Sequence, residues 1–233
     1  MIISHSRKFI FIHIFKTAGT SVTESLHPFQ RTAEKLTRNW FTRKIVTSIN
    51  RIFRLSDNGN KWLLGVHKHA PATEVRNYLD LDRFDSYFKF AFVRNPFDWQ
   101  VSLYHYIRQT KAHRDYVLVQ ELTFEEFVER EIARGAPTQS SFLCDGNDLI
   151  VDYVGKTETL DADMAQICGR LGIDVISIPR LNASRRCSDF SSYYTDRTRK
   201  LVADHFAEDF SRFGYDQEVA RDVGPGRSAA MKA

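Results

Sequence analysis

The stretch KFIFIHIFKTAGTS, residues 8–21, sets an apolar run directly before a short loop that contains one lysine and one glycine. Residues 8–14 are almost continuously apolar, which predicts a strand covered on both faces in a parallel sheet. Strand alternation divides the run into two faces: Phe9, Phe11 and His13 on one, Ile10, Ile12 and Ile14 on the other. We therefore interpret His13 as a buried, hydrogen-bonded core residue and expect a helix after the loop.

A second apolar run, residues 87–93, ends abruptly in Arg94-Asn95-Pro96. Shorter runs predict further strands at residues 61–66, 150–154 and 175–178. Helical patterns lie between the strands, at residues 20–26, 72–79, 96–107, 124–133, 161–171 and 196–213. This alternation predicts a single α/β domain over residues 1–215, with a mainly parallel sheet flanked by helices and a flexible tail at 216–233.

Composition excludes several classes of protein. The 233 residues are 42% hydrophobic and 27% charged, as in ordinary globular chains, and the net charge of +4 does not require nucleic acid. Three scattered cysteines, Cys144, Cys168 and Cys187, form neither a disulfide framework nor a CxxC zinc motif. The N-terminal apolar run is far shorter than a membrane span, so we expect a cytoplasmic protein without a membrane-spanning segment.

One segment is strongly basic: residues 31–61 hold eight Lys or Arg and two acids. The favoured interpretation is a solvated helix face. The alternative is a docking rim for an acidic glycan or an anionic membrane surface, which leaves peripheral membrane contact open.

The loop after the first strand has the chemistry of an anion cradle. Gly19 permits close backbone approach, Thr20 and Ser21 can cap the helix or bind oxygens, and Lys16 adds a positive charge. The pattern is not a Walker A motif, because the lysine precedes the glycine. We predict a phosphate or sulfate site here; the alternative is an ordinary tight turn with a surface lysine.

The loop after the second strand, RNPFDWQVSLY at residues 94–104, predicts a second anion site. Asn95 suits the helix N-cap, and a proline suits the first helical position after it. Arg94 at the strand end and Ser102 on the helix could hold a phosphate together. The alternative is a local ion pair between Arg94 and Asp98.

The two loops resemble the IPKTAGTS and RNPxDRxxSxY signatures of sulfotransferases that use 3′-phosphoadenosine 5′-phosphosulfate (PAPS). The sequence is most similar to the carbohydrate branch that includes heparan sulfate 2-O- and chondroitin sulfotransferases. Residues 152–163 resemble the D-x-I-G-x-x-E-x-L-x-x-D segment of that branch, and residues 209–215 its DFSRFGY-like ending. The resemblance implies a P-loop-like strand-loop-helix, transfer of a sulfuryl group from PAPS to a sugar or glycan hydroxyl, and a bacterial cytoplasmic enzyme.

The resemblance also assigns residues. Binding of the 5′-phosphosulfate falls to the first loop, namely Lys16, Thr17, Ala18, Gly19, Thr20 and Ser21. Arg94 and Ser102 would hold the 3′-phosphate, and no metal is required. Two positions depart from the signatures: Phe15 replaces a proline, which we expect to alter the loop's entry angle, and Trp99 replaces an arginine, which removes a charge near the cofactor.

Catalysis by this family implies a cation for the leaving oxygen, here Lys16, and a base for the acceptor hydroxyl. The segment GVHKHA, residues 65–70, supplies two candidate bases, His69 ranked first and His67 second. Glu158 is a rival base, although its position suggests a structural contact. A metal on the two histidines lacks an identifiable third ligand.

Two other functions compete with sulfuryl transfer: a P-loop-like nucleotide kinase and a non-catalytic nucleotide- or glycan-binding module. A kinase predicts a Lys directly before Ser or Thr at the loop end, which is absent, and the retained basic residues count against an inactive module. We expect the acceptor pocket to involve residues 31–61 and 135–148, with Gln139 contacting a sugar. Oligomeric state stays open.

Overall fold

The computed structural model describes residues 1–29, 67–179 and 189–218. Its strands are β1 (Ile2–Ser4), β2 (Phe9–Ile12), β3 (Phe88–Val93), β4 (Cys144–Asp145), β5 (Asp148–Leu149) and β6 (Tyr153–Lys156). Its α-helices are α1 (Gly19–Leu26), α2 (Ala72–Leu79), α3 (Leu81–Ser86), α4 (Pro96–Gln109), α5 (Tyr116–Glu121), α6 (Phe124–Ala133), α7 (Ser140–Leu143), α8 (Leu160–Leu171), α9 (Asp196–His205) and α10 (Ala207–Phe213).

The central sheet has the order β1-β2-β3-β6. β2 and β3 are parallel, with Phe9 opposite Phe88, and β3 and β6 are parallel, with Phe90 opposite Tyr153. β1 is antiparallel to β2, and β4 and β5 form a separate hairpin. The carboxyl ends of β2, β3 and β6 therefore meet at one edge of a mainly parallel sheet, as predicted for an α/β protein.

The two faces of the sheet belong to two buried clusters, which confirms the alternation expected of the first strand. Ile10 and Ile12 of β2 pack in the larger cluster with Ala91 and Val93 of β3. The aromatic residues of both strands pack on the other face with α1 and α8, in a cluster that includes Phe9, Phe11, Phe90, Phe92, Val22 and Met164. The side chains on both faces of β2 and β3 are shielded from solvent because helices cover them, the arrangement typical of parallel strands.

A buried lysine ties the start of β3 to α3. The ammonium of Lys89 donates to the carbonyl oxygens of Phe84 at 3.2 Å and Tyr87 at 2.8 Å, and it pairs with Asp152 at 2.9 Å. The carbonyl groups at the end of α3 thus acquire a cationic donor, which favours the negative end of the helix dipole.

Three sequence predictions need correction. The strand expected at 150–154 begins later, at Tyr153, after the unpredicted hairpin. Residues 175–178 form no strand, because Val175 is 71% exposed while Ile178 packs into the second cluster without a strand partner. The helix expected at 196–213 is two helices, since Phe206 leaves helical geometry at φ −102° and ψ 22°. The strand predicted at 61–66 and the basic segment 31–61 lie outside the described residues.

In the described parts of the chain, no helix combines the length and the apolar character needed to cross a bilayer.

Candidate functional site at the carboxyl ends of the parallel strands

The loop between β2 and α1 has an unusual backbone. Lys16 and Ala18 take left-handed conformations, with φ of 63° and 57°, which cost non-glycine residues roughly 1–2 kcal/mol each. The hydroxyl of Thr17 donates to the carbonyl of Ile14 at 2.9 Å and braces the turn from inside. Alternating conformations of this kind turn successive N–H groups into a concavity, and such concavities bind anions.

Gly19 brings the first turn of α1 into contact with His13. A Cβ atom at Gly19 would lie 1.9 Å from Cδ2 of His13, so only glycine fits there without movement. The His13 ring is 2% exposed and stacks on Phe11 with ring centroids 5.7 Å apart. His13 is a core residue, as the sequence indicated, although its Nδ1 makes no hydrogen bond to any described residue, and its ring packs against the β2–α1 loop at Gly19.

Arg94 connects the second loop to the first. Asn95 caps α4 by accepting from the N–H of Phe97 at 2.9 Å. Arg94, directly before it, extends to the loop that follows β2. Its Nε donates to Asp98 at 2.6 Å, and its Nη1 donates to the carbonyl of Lys16 at 3.2 Å. The expected local ion pair and a contact with the β2–α1 loop therefore coexist in one guanidinium.

The Lys16 side chain extends to α4, where it meets the exposed residue Tyr106. Its ammonium lies 4.1 Å from the centroid of the Tyr106 ring, a cation–π distance. Asp98, Ser102 and Tyr106 follow one another at intervals of four residues and so share one face of α4. Ser102, which is 6% exposed, thus belongs to the helix face that meets the first loop.

His69 lies against the end of β2. Its Nδ1 is 2.9 Å from the carbonyl oxygen of His13, and the two rings are 4.5 Å apart. Because a carbonyl only accepts, Nδ1 carries the proton and Nε2 keeps its lone pair. Burial lowers the pKa of His69 to about 4, and the charges of Lys68 and the amino terminus act in the same direction. His69 is therefore neutral near pH 7.

His67, the second candidate base, is exposed. Its Nδ1 accepts from the backbone N–H of His69 at 3.2 Å, and the two rings are 6.1 Å apart. This bond shapes the turn that precedes His69.

Gln139 does not line a sugar pocket, and that prediction is wrong. The residue is fully buried, and its amide accepts from the N–H of Arg94 at 2.8 Å and donates to the carbonyl of Arg94 at 2.7 Å. Asp209, also fully buried, accepts from the backbone N–H groups of Gln139 and Ser140, both at 2.7 Å. This chain of hydrogen bonds from α10 fixes the backbone of Arg94.

Glu158 has structural partners at the same edge. It accepts from the N–H of Asn95 at 2.8 Å and from the hydroxyl of Tyr215 at 2.9 Å. Burial and the neighbouring carboxylate raise the pKa of Tyr215, so the hydroxyl keeps its proton for this bond. Glu158 thus joins the end of β6 to the second loop.

The two positions that depart from the sequence signatures contact each other. The indole Nε1 of Trp99 donates to the carbonyl of Phe15 at 2.6 Å, and the two rings stack with centroids 4.8 Å apart. Trp99 is 1% exposed. The sequence alone did not indicate that the residues at these two positions are in contact.

These features define an α/β protein with two basic loops at the carboxyl ends of adjacent parallel strands, one of them strained and flanked by a neutral histidine. A family model described as "Sulfotransferase family" matches residues 1–216, and the chain belongs to that family. It is also similar to an uncharacterized protein of Archaeoglobus fulgidus, with 28% identity over 116 residues that cover 49% of this chain and 92% of the relative. No solved structure matches.

Among the described residues, no group of three or more His, Cys, Asp or Glu side chains is placed to hold a metal ion.

Proposed function

We propose that the protein transfers a sulfuryl group from PAPS to a hydroxyl of an acceptor, and that the acceptor is a carbohydrate or a glycolipid. Membership in the sulfotransferase family supports the reaction class. The observation that carries the rest is the convergence of the Lys16 loop, Arg94 and His69 at one edge of the sheet. The resemblance to carbohydrate sulfotransferases favours the sugar acceptor.

The residues present fit a donor with two separate anionic groups. The concave loop at 16–21 offers backbone N–H groups and the start of α1, whose close packing against His13 depends on Gly19. The Arg94 guanidinium has five N–H groups, and its contacts with Asp98 and with the Lys16 carbonyl use three of them, so that the others can reach a phosphate. We assign the 5′-phosphosulfate to Lys16, Thr17, Ala18, Gly19, Thr20 and Ser21, and the 3′-phosphate to Arg94 and Ser102.

PAPS supplies an activated sulfuryl group whose leaving oxygen belongs to a phosphate. Lys16 stabilises the negative charge that grows on that oxygen, and a preorganised cation does so without further rearrangement. The Nε2 lone pair of His69 accepts the proton of the attacking hydroxyl, since the His13 carbonyl holds the other ring nitrogen protonated. A lowered pKa keeps His69 in its basic form, and an anion bound nearby raises that pKa and makes the base stronger.

Calorimetric titration with 3′-phosphoadenosine 5′-phosphate (PAP), with AMP and ATP as controls, tests the donor. We expect PAP to bind and AMP to bind far more weakly, because AMP lacks the 3′-phosphate. Arg94→Ala weakens PAP, and Arg94→Lys weakens it nearly as much, since lysine lacks the planar fork that reaches Asp98, Lys16 and a phosphate together. A preference for ATP would return the kinase interpretation, and binding of none of the three would overturn the proposal.

A second experiment separates catalysis from binding. PAP release from PAPS is followed in the presence of a panel of sugar acceptors for His69→Asn and, as a matched control, His67→Asn. We expect His69→Asn to lose roughly 10²–10⁴-fold in turnover while PAP affinity stays unchanged, because a general base acts only on the acceptor proton. Equal losses in the two variants would remove His69 from the role of base.

A further inference from the structure

A buried tryptophan, Trp99, contacts Phe15, the residue directly before the Lys16 loop. Trp99 lies in the first turns of α4, and its indole N–H donates to the main-chain carbonyl of Phe15 at 2.6 Å, across 84 residues of sequence. Phe206 closes the other side of the indole, with ring centroids 5.8 Å apart. The indole is therefore fixed on α4, and it fixes in turn the point where the chain leaves β2.

The Phe15 ring transmits this contact to the candidate base. It stacks on Trp99 at 4.8 Å and meets the edge of His69 at 6.2 Å, with an interplanar angle of 88°. Phe142 packs on it from a third side at 5.8 Å. One aromatic side chain thus lies between the tryptophan of α4 and the imidazole that faces β2.

The contact between Trp99 and Phe15 matters because the backbone that follows Phe15 is strained. Lys16 and Ala18 adopt left-handed backbone conformations that persist only where surrounding structure enforces them. Three side-chain hydrogen bonds help to hold this part of the chain: Thr17 to Ile14, Arg94 to Lys16, and Trp99 to Phe15. Of these three bonds the indole bond is the shortest, and Trp99, at 1% exposed, is the more deeply buried of the two donors that lie outside the loop.

We propose that Trp99 is a positioning residue of the proposed sulfuryl-transfer site: by holding the carbonyl and the ring of Phe15, it keeps the Lys16 loop and the His69 ring in one arrangement. This inference rests on the proposed function for its catalytic meaning. Its geometric content concerns the loop and the imidazole and can be tested without turnover.

The test compares Trp99→Phe with Tyr194→Phe. Trp99→Phe keeps an aromatic ring beside Phe15 but removes the N–H donor. The control removes the same kind of bond, since the Tyr194 hydroxyl donates at 2.7 Å to the carbonyl of Phe97, and this bond is also buried. Phe97, like Trp99, belongs to α4. A lost bond of this kind is worth about 0.5–1.5 kcal/mol net, and Trp99→Phe also loses part of the buried indole's packing, so both variants should unfold at reduced temperatures, with Trp99→Phe the lower of the two.

Only Trp99→Phe should disturb the site. We expect its PAP affinity to fall by about three- to tenfold and the imidazole resonances and titration of His69 to move, while Tyr194→Phe matches the wild type in both readouts. The groups that face His69 in this titration are Lys68, His67, His13 and the amino terminus of Met1.

Three results would overturn the inference: wild-type PAP affinity and an unchanged His69 signal in Trp99→Phe, equal changes in both variants, or a loss of fold in Trp99→Phe alone. If the wild type itself binds no PAP, the proposed function fails. The His69 signal then still decides whether Trp99 positions the loop.

Discussion

Gly19→Ala is expected to destabilise the protein, although the same change usually stabilises a helix. Alanine in place of glycine favours helical residues by about 0.5–1 kcal/mol. At Gly19, however, the new Cβ would lie 1.9 Å from Cδ2 of His13, and an ordinary contact needs at least 3.4 Å. The His13 ring would have to move by 3.4 − 1.9 = 1.5 Å.

That movement has no free direction among the described neighbours. The His13 ring is 2% exposed, stacked on Phe11 at 5.7 Å and against His69 at 4.5 Å. Overpacking of a buried site costs about 1–3 kcal/mol. After the helical gain of alanine is subtracted, we expect a net loss of about 1 kcal/mol in the free energy of unfolding and a melting temperature lower by about 2–4 °C.

Gly169→Ala is the matched control. Gly169 lies inside α8, and no atom comes within 4 Å of a Cβ added there. This variant should gain about 0.5–1 kcal/mol. Thermal and urea unfolding of Gly19→Ala, Gly169→Ala and His13→Ala, and of the double variant that combines His13→Ala with Gly19→Ala, complete the test. The double variant should lose less than the sum of its parts, because it removes the clash. Additive losses, or a Gly19→Ala protein as stable as the wild type, would refute the reasoning.

Three further outcomes are expected. NMR titration of His69 should give a pKa of about 4, and this pKa should rise when PAP binds. The free energy of unfolding should fall as the pH drops from about 6.5 to about 4, because only the unfolded histidine takes up a proton in that range. His69→Gln should reduce this pH dependence of stability. Asp209→Asn should cost about 2–3 kcal/mol in urea unfolding, since an amide cannot accept from Gln139 and Ser140 as the carboxylate does. Lys89→Met should cost about 1–3 kcal/mol, because the carbonyl oxygens of Phe84 and Tyr87 lose their ammonium donor while Asp152 keeps its bond from the backbone N–H at position 89; PAP affinity should not change, since Lys89 lies at the other end of β3.

Local patterns in the sequence account for much of the fold. The alternation of residues 8–14 predicts which side chains of β2 enter each buried cluster, and the structure confirms it. The helices expected at 72–79 and 124–133 have those same bounds, the second because Thr123 and Glu126 form a capping box. Residues 175–178 show the limit: an apolar run predicts burial, but a strand also needs a partner strand beside it.

The sequence by itself determined the strand-loop-helix at residues 8–26, the cap of α4 at Asn95 and the kinds of residue that could bind an anion, because periodicity and capping act over about four residues. The tertiary structure alone decided what these residues touch. Arg94 meets the Lys16 carbonyl across 78 residues, Trp99 meets the Phe15 carbonyl across 84, and the His13 carbonyl sets the tautomer of His69 across 56. Such contacts depend on which strands become neighbours, and no local pattern records that choice.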